Sequence, residues 1–206
     1  MNIIWSPREI ENRSMEIVDS YFSGYQFLPL EEAVVKRVVH STGDPSLIDK
    51  ILFNPRGIEE GLKALQNGAN IYTDINMIKT GINDKKIDIY GGEVRCLVSE
   101  PEVANMAENW GITRAAAAMY ALGEKLEGEI ITIGNSPTAL FAVLELIRNL
   151  KVRPSLVVGV PVGFVGAAES KEELSKLEDQ SYVTLTGTRG GTPVAVAIIN
   201  AMLNFN

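Results

Sequence analysis

The chain has 206 residues, of which 46% are hydrophobic and 22% charged, and its 19 Lys+Arg against 26 Asp+Glu leave a net charge of −7. That length carries one domain with a substantial core, or at most two small ones, and the acidic balance argues against general nucleic-acid binding and against an anionic membrane surface. A lone cysteine, Cys96, excludes an internal disulfide framework and a Cys-based zinc cluster, and a lone histidine, His40, excludes a multi-His site, so no metal held by the protein is expected.

In chain order, the opening residues lack the long apolar run and cleavage site of a secretory signal. Helical spacing then appears over 7–20, 30–40, 45–53 and 56–67. Ser6-Pro7 with Glu9 reads as a capping box with Pro at the first helical position, and Asp44-Pro45 repeats the cap-then-Pro arrangement. From residue 69 the pattern changes. Short β-branched runs at 70–73, 94–98, 129–133, 156–160 and 182–186 alternate with helical stretches at 100–108, 113–126, 137–150, 170–177 and 192–203. Ser136-Pro137 and Thr192-Pro193 read as helix starts, and Ser170 with Glu173 as a further capping box. Runs such as ITIG and LVVGV are apolar on both faces, which predicts a parallel sheet covered by helices. The expected fold is α/β, a single domain over 1–206 with a mainly parallel sheet flanked by helices in Rossmann-like layers. Within it a helical N-terminal part (1–68) precedes the parallel α/β part (69–206). The longest near-apolar stretch, 156–168, is broken by Gly159, Pro161, Gly163 and Gly166, too short to span a bilayer, so a cytoplasmic protein is expected.

Three strand-to-helix loops are rich in small residues: 134–137, 159–166 and 187–193. In a parallel sheet they lie at the carboxyl ends of the strands, where ligands usually bind. Any one of them could simply be a tight turn; together they suggest a flat, backbone-lined site. No dinucleotide fingerprint and no P-loop occurs, which counts against a nucleotide-using enzyme. Thr113 reads as an N-cap, so Arg114 falls in a first helical turn, where the dipole disfavours a cation. Arg189 stands likewise ahead of the last helix. Each could be ion-paired or solvent-facing; jointly they suggest a polycarboxylate or phosphate ligand. In the first helix Ile10, Ile17, Val18 and Tyr21 form the apolar stripe, Ser14 interrupts it, and Arg13 beside it could pair with Glu9. His40 ends a helical run stopped by Gly43, so it sits in the last turn, either as a structural cap or poised to donate a proton near neutral pH.

These segments together resemble the precorrin-8X methylmutase family of cobalamin biosynthesis. The resemblance is carried by E-N-R-S (11–14), R-V-V-H-S-T-G (37–43), D-I-N-M-I-K-T-G-I (74–82), G-I-T-R-A-A-A-A (111–118), I-G-N-S-P-T-A-L-F (133–141), G-V-P-V-G-F-V-G-A-A-E-S-K (159–171) and T-R-G-G (188–191), in family order. It implies an isomerase that moves a methyl group from C-11 to C-12 of precorrin-8X or cobalt-precorrin-8, giving hydrogenobyrinic or cobyrinic acid by an acid-assisted sigmatropic shift. It implies no nucleotide, flavin or other cofactor, a homodimer with the site close to the subunit interface, and a corrinoid as the bound small molecule. On this resemblance His40 is the proton donor, and Arg13, Ser14, Ser41, Thr80, Gly81, Thr113, Arg114 and Arg189 bind substrate. Where the family often reads H-A-C-G and N-T-R-S, this chain has His40-Ser41-Thr42-Gly43 and Ile112-Thr113-Arg114-Ala115. A carrier that binds a tetrapyrrole without catalysis would keep the arginines and would not need His40.

Overall fold

The structure is a computed structural model that describes residues 3–54 and 57–205. The N-terminal helices are α1 (Pro7–Ser20) and α2 (Pro29–Thr42). A 3-10 turn at Pro45–Leu47 leads into β1 (Ile51–Phe53), followed by α3 (Gly57–Gln66), β2 (Ile71–Thr73), α4 (Asn76–Gly81), α5 (Asp84–Tyr90) and β3 (Val94–Arg95). Then come α6 (Pro101–Trp110), α7 (Arg114–Leu122), β4 (Ile130–Ile133), α8 (Pro137–Glu145) and β5 (Leu156–Gly159). The chain closes with α9 (Ala167–Ser175), β6 (Tyr182–Leu185) and α10 (Thr192–Asn204).

Among the described residues one six-stranded sheet forms, in the order β1-β6-β5-β4-β2-β3, and every pairing but that of β1 with β6 is parallel. The expected α/β fold with a mainly parallel, helix-covered sheet is the one present. Strands β2, β4, β5 and β6 are buried along their whole length, which their two-sided apolar sequences require. One face packs on α2, α3, α4 and α10 through Val34, Val38, Ile78 and Ile198. The other packs on α6, α7 and α8 through Val103, Ala117 and Leu140. Helix α2 buries Leu30, Val34, Val35, Val38 and Val39. Valine is a mediocre helix former, so this helix is held by burial, worth about 1.5–3 kcal/mol for each such side chain, rather than by propensity.

Several local expectations are corrected. Residues 45–53 are not a helix: after one 3-10 turn, Ile51, Leu52 and Phe53 pair antiparallel with Leu185, Thr184 and Val183. Spacing over so short an apolar run does not separate helix from strand, and the free edge of β6 decides the matter. The N-terminal part therefore contributes a strand to the common sheet. Residue 56, the expected start of the next helix, lies outside the described residues. The expected cap at Ser170 is an interior helical residue, fully buried, whose hydroxyl donates to Ala167 O at 3.1 Å; Gly166 at φ +77° is the N-cap instead. Thr192 is the first residue of α10, with Gly191 before it as cap. Ser6, Asp44, Thr113 and Ser136 do accept the expected amide hydrogen bonds at their element starts. Helices α4 and α5 add to the expected elements; Asn83, which accepts from Lys86 N at 3.3 Å, and Gly91 at φ +81° are the signals that mark α5.

Candidate functional site

His40 stands in the last turn of α2, and Gly43 in the left-handed conformation (φ +65°) ends the helix by donating to Val39 O at 2.9 Å. Its Nδ1 lies 3.1 Å from Ser14 Oγ on α1. Each partner can donate or accept here, so the bond holds the ring in both its neutral and its protonated form. Among the described residues Nε2 has no hydrogen-bond partner. His40 is half-buried on the wall of a cavity of ≈ 270 Å³ lined also by Arg37, Ser41, Pro193, Val196, Ala197 and Asn200. A larger groove of ≈ 640 Å³ lies farther along the same helix between α1, α2 and α10, and Arg37 belongs to both.

Ser41 is on that wall, its hydroxyl donating to Val38 O at 3.0 Å. Thr80 and Gly81, at the end of α4, come close through α10. The Asn200 side-chain amide donates to Gly81 O at 2.9 Å and accepts from Asn83 N at 2.9 Å. A Cβ on Gly81 would stand 2.7 Å from Val196 Cγ2, so glycine is required for α4 to lie this near. The Thr80 hydroxyl donates to Asn76 O. Arg13 is next to Ser14 but exposed, and pairs with Glu16 at 2.8 Å rather than with the expected Glu9. Of the apolar stripe on α1 only Val18 is buried; Ile10, Ile17 and Tyr21 remain about half exposed, at 48%, 49% and 48%.

The remaining candidates lie on other elements. Thr113 and Arg114 start α7, on the opposite face of the sheet from His40. Thr113 Oγ1 is 2.6 Å from Thr138 Oγ1, which is 2.8 Å from Ser136 Oγ, so a ladder of hydroxyls joins the N-termini of α7 and α8 at the carboxyl edge of the sheet. Arg114 is exposed and without a hydrogen bond or ion pair among the described residues. Arg189 is not free: its guanidinium is held by Asp44 and by Ser46 Oγ, in the turn just after the His40 helix. Asp44 with Arg189 and Ser46 beside it keeps its carboxyl below the usual range, the Ser46 hydroxyl contributing most.

Three further residues escape a reading of the sequence. Asp74 follows β2 at the point where the strand order reverses, between β2 and β4, a common ligand crevice in such sheets. Here the chain fills it itself. The buried Asp74 carboxylate accepts from the amides of Gly134, Asn135 and Ser136 at 3.0, 2.9 and 2.5 Å. Burial pushes this carboxyl up against the pull of its three amide donors. The amides of the first small-residue loop thus meet an acidic side chain of the chain itself. Lys171 is almost wholly buried, and its ammonium donates to Arg189 O. Among the described residues it forms no ion pair, and burial lowers its pKa to about 8. It staples α9 to the last loop, where Gly190 (φ +153°) leaves no room for a Cβ against Val160 O. Arg37, one turn before His40, is the third. Its signal was its place in the R-V-V-H run. Among the described residues no three His, Cys, Asp or Glu side chains gather as a metal site.

Residues 9–205 match the family described as CbiC: Precorrin-8X methylmutase. The chain is 42% identical to the cobalt-precorrin-8 methylmutase of Methanocaldococcus jannaschii over 206 residues, covering 100% of this chain and 93% of that one. It is 43% identical to the cobalt-precorrin-8 methylmutase of Salmonella typhimurium, covering 98% of this chain and 97% of the other. Its fold matches the crystal structure of precorrin-8X methylmutase from Thermus thermophilus with a TM-score of 0.86 at 38% identity, covering 94% and 95% of the two chains.

Proposed function

Since the chain belongs to the precorrin-8X methylmutase family, we propose that it is an isomerase that moves a methyl group from C-11 to C-12 of a precorrin-8-class macrocycle, with His40 as the acid. The observation that carries the residue assignment is the seat of His40. The imidazole lies in the last turn of α2. Its Nδ1 is pinned by Ser14, and it faces a cavity lined by the apolar Pro193, Val196 and Ala197 and by the polar Arg37, Ser41 and Asn200. The product is an isomer of the substrate, so the proton given to the ring must be recovered, and a single imidazole can do both. A sigmatropic shift needs a held geometry and a placed proton, not a nucleophile, and general acid catalysis of this kind is worth about 10²–10⁴ in rate.

The same reading takes Ser41, Thr80 and Gly81 as the polar rim beside His40, and Arg13, Arg114 and Arg189 with Thr113 as hydrogen-bond and charge partners of the substrate's carboxylates. Arg189 would have to leave Asp44 to do so. The substrate is taken to carry cobalt, supported by the names of the relatives at 42% and 43% identity. The active unit is taken to be a homodimer with both parts of the chain acting as one body. A cavity of ≈ 270 Å³ is small for a macrocycle, and Ile10, Ile17 and Tyr21 leave an apolar face on the helix that carries Ser14. Equilibrium sedimentation should give twice the chain mass; a monomer at micromolar concentration would remove the dimer from the account. A cytoplasmic location is part of the same proposal, and among the described residues no helix is long and apolar enough to cross a membrane.

The deciding experiment is incubation with cobalt-precorrin-8 and with precorrin-8X, followed by absorbance. Turnover by the wild type, and its loss by 10²-fold or more in His40→Ala with product binding retained, is the expected result. Full turnover in His40→Ala would end the acid assignment, and binding without turnover in the wild type would favour a carrier.

A further inference from the structure

Thr138 belongs to the I-G-N-S-P-T-A-L-F segment, and the function proposed above gives it no role. It stands in the first turn of α8, where its Oγ1 lies 2.8 Å from Ser136 Oγ and 2.6 Å from Thr113 Oγ1. These three hydroxyls bring one O–H donor each, and the two contacts between them use two of the three protons. One proton is left over, and burial decides where it goes. Ser136 is buried, and its oxygen already caps α8 by accepting from Ala139 N at 3.4 Å. Among the described residues its proton has no acceptor but Thr138, and a buried donor left unmade costs about 1–3 kcal/mol, so Ser136 donates to Thr138. Thr138 and Thr113 are exposed, so the surplus proton belongs to that end of the ladder, directly before Arg114.

Thr113 caps α7 by accepting from Ala116 N at 3.2 Å. Once Thr138 donates to it as well, both lone pairs of Thr113 are filled, and its own O–H is all it has left to give. Beside that donor stands Arg114, exposed and without a hydrogen bond or ion pair among the described residues. A hydroxyl that can only donate, a guanidinium and the start of a helix together present donors and positive charge alone, which suits a carboxylate. A carboxylate that takes the Thr113 proton also fixes the ladder in one direction, from Ser136 to Thr138 to Thr113. We propose that Thr138 is a positioning residue, which hands the direction set by buried Ser136 on to Thr113, so that Thr113 and Arg114 hold one carboxylate of the macrocycle between them. This rests on the methylmutase reading above, because it needs a ligand bearing carboxylates. Thr138 acts through Thr113 and not on the reacting atoms, so its loss is felt in binding rather than in the chemical step.

The test compares Thr138→Val, which removes the hydroxyl at nearly constant shape, with Thr138→Ser, which keeps it, each in the wild-type and in the Arg114→Ala background. Turnover of cobalt-precorrin-8 and binding of cobyrinic acid are measured for all of them. Thr138→Val should raise KM and product Kd about 3–10-fold with kcat within about twofold of wild type, and Thr138→Ser should restore both constants. In the Arg114→Ala background the same Thr138→Val change should add less than about twofold, because the carboxylate it serves is no longer gripped. Unchanged KM and Kd in Thr138→Val overturn the proposal. An equal factor in both backgrounds also overturns it, since Thr138 would then act through the fold at large and not through this grip. So does a Thr138→Ser variant as weak as Thr138→Val. Should Thr138→Val not fold, Thr138→Ala is read in its place by the same criteria. A wild type that neither binds nor converts the corrinoid defeats the methylmutase reading itself. A wild type that converts it, with Kd unchanged in Arg114→Ala, leaves that reading standing and defeats only the carboxylate grip and the role of Thr138 in it.

Discussion

At the scale of single residues, the contact between Ser14 and His40 joins two helices 26 positions apart through one hydrogen bond of 3.1 Å. An imidazole without it is free to rotate about its side-chain torsions, and its Nε2 loses a fixed aim. Ser14→Ala should therefore lower kcat about 3–30-fold and change KM little, as steady-state turnover would measure; an unchanged kcat would show that packing alone orients the ring. His40 was legible in the sequence because Gly43 fixes which turn it occupies. Its hydrogen bond to Ser14 was not, because the crossing of α1 over α2 depends on side chains from both helices. Arg189 is the opposite case. Its position before α10 left an ion pair, a solvent-facing side chain and a ligand cation all open, and only the folded chain brings Asp44 and Ser46 to it.

At the scale of elements, the contact of Asp74 with the loop before α8 binds the end of β2 to the start of a helix 60 residues later. The three amide donors there include those that an external anion would use at a helix N-terminus. Asn at this position offers one acceptor oxygen and turns an amide group toward N–H donors. Asp74→Asn should destabilise the fold by about 1–3 kcal/mol for each amide left unsatisfied, read as a lowered urea midpoint with unchanged slope. An unaltered midpoint would show that the loop finds other acceptors. The elements that spacing misjudged are the short ones. Residues 51–53 become a strand because β6 would otherwise keep an open edge, and α4 with six residues is too short to display a period. Helix α8 was read from its Ser136-Pro137 start, and its N-cap bond to Ala139 N follows from purely local chemistry.

For the molecule as a whole, Lys171 offers a probe of how the carboxyl-edge loops are tied together. Its folded-state pKa is depressed by burial to about 8, against an ordinary 10.5. Below about pH 8 the folded and unfolded chains both carry this proton, and the group adds no slope. Between pH 8 and 10.5 the unfolded chain still binds the proton that the folded chain has released, so this group makes stability rise with pH. Burial and the neighbouring Glu145 raise Tyr120 to about 12, which gives the opposite slope once an unfolded tyrosine ionises near pH 10. The comparison belongs at pH 8–10. Over that range the urea midpoint of the wild type should rise relative to that of Lys171→Met. Parallel curves would mean that the ammonium is not desolvated in solution. Loss of the Lys171 staple should also loosen the loop that carries Arg189, and with it the turn behind His40.

The sequence by itself determined the layered α/β class, most of the helix starts and the turn that holds His40, because periodicity, caps and stop signals act within a few residues. It also carried the family resemblance across nearly the whole chain. The tertiary structure alone decided that Arg189 is ion-paired, that Asp74 meets the amides of residues 134–136 at the reversal point of the sheet, and that residues 51–53 close its edge. Those outcomes rest on partners dozens to more than a hundred positions apart, and an ion pair, a nest of amides or a strand edge exists only once folding has brought both halves together.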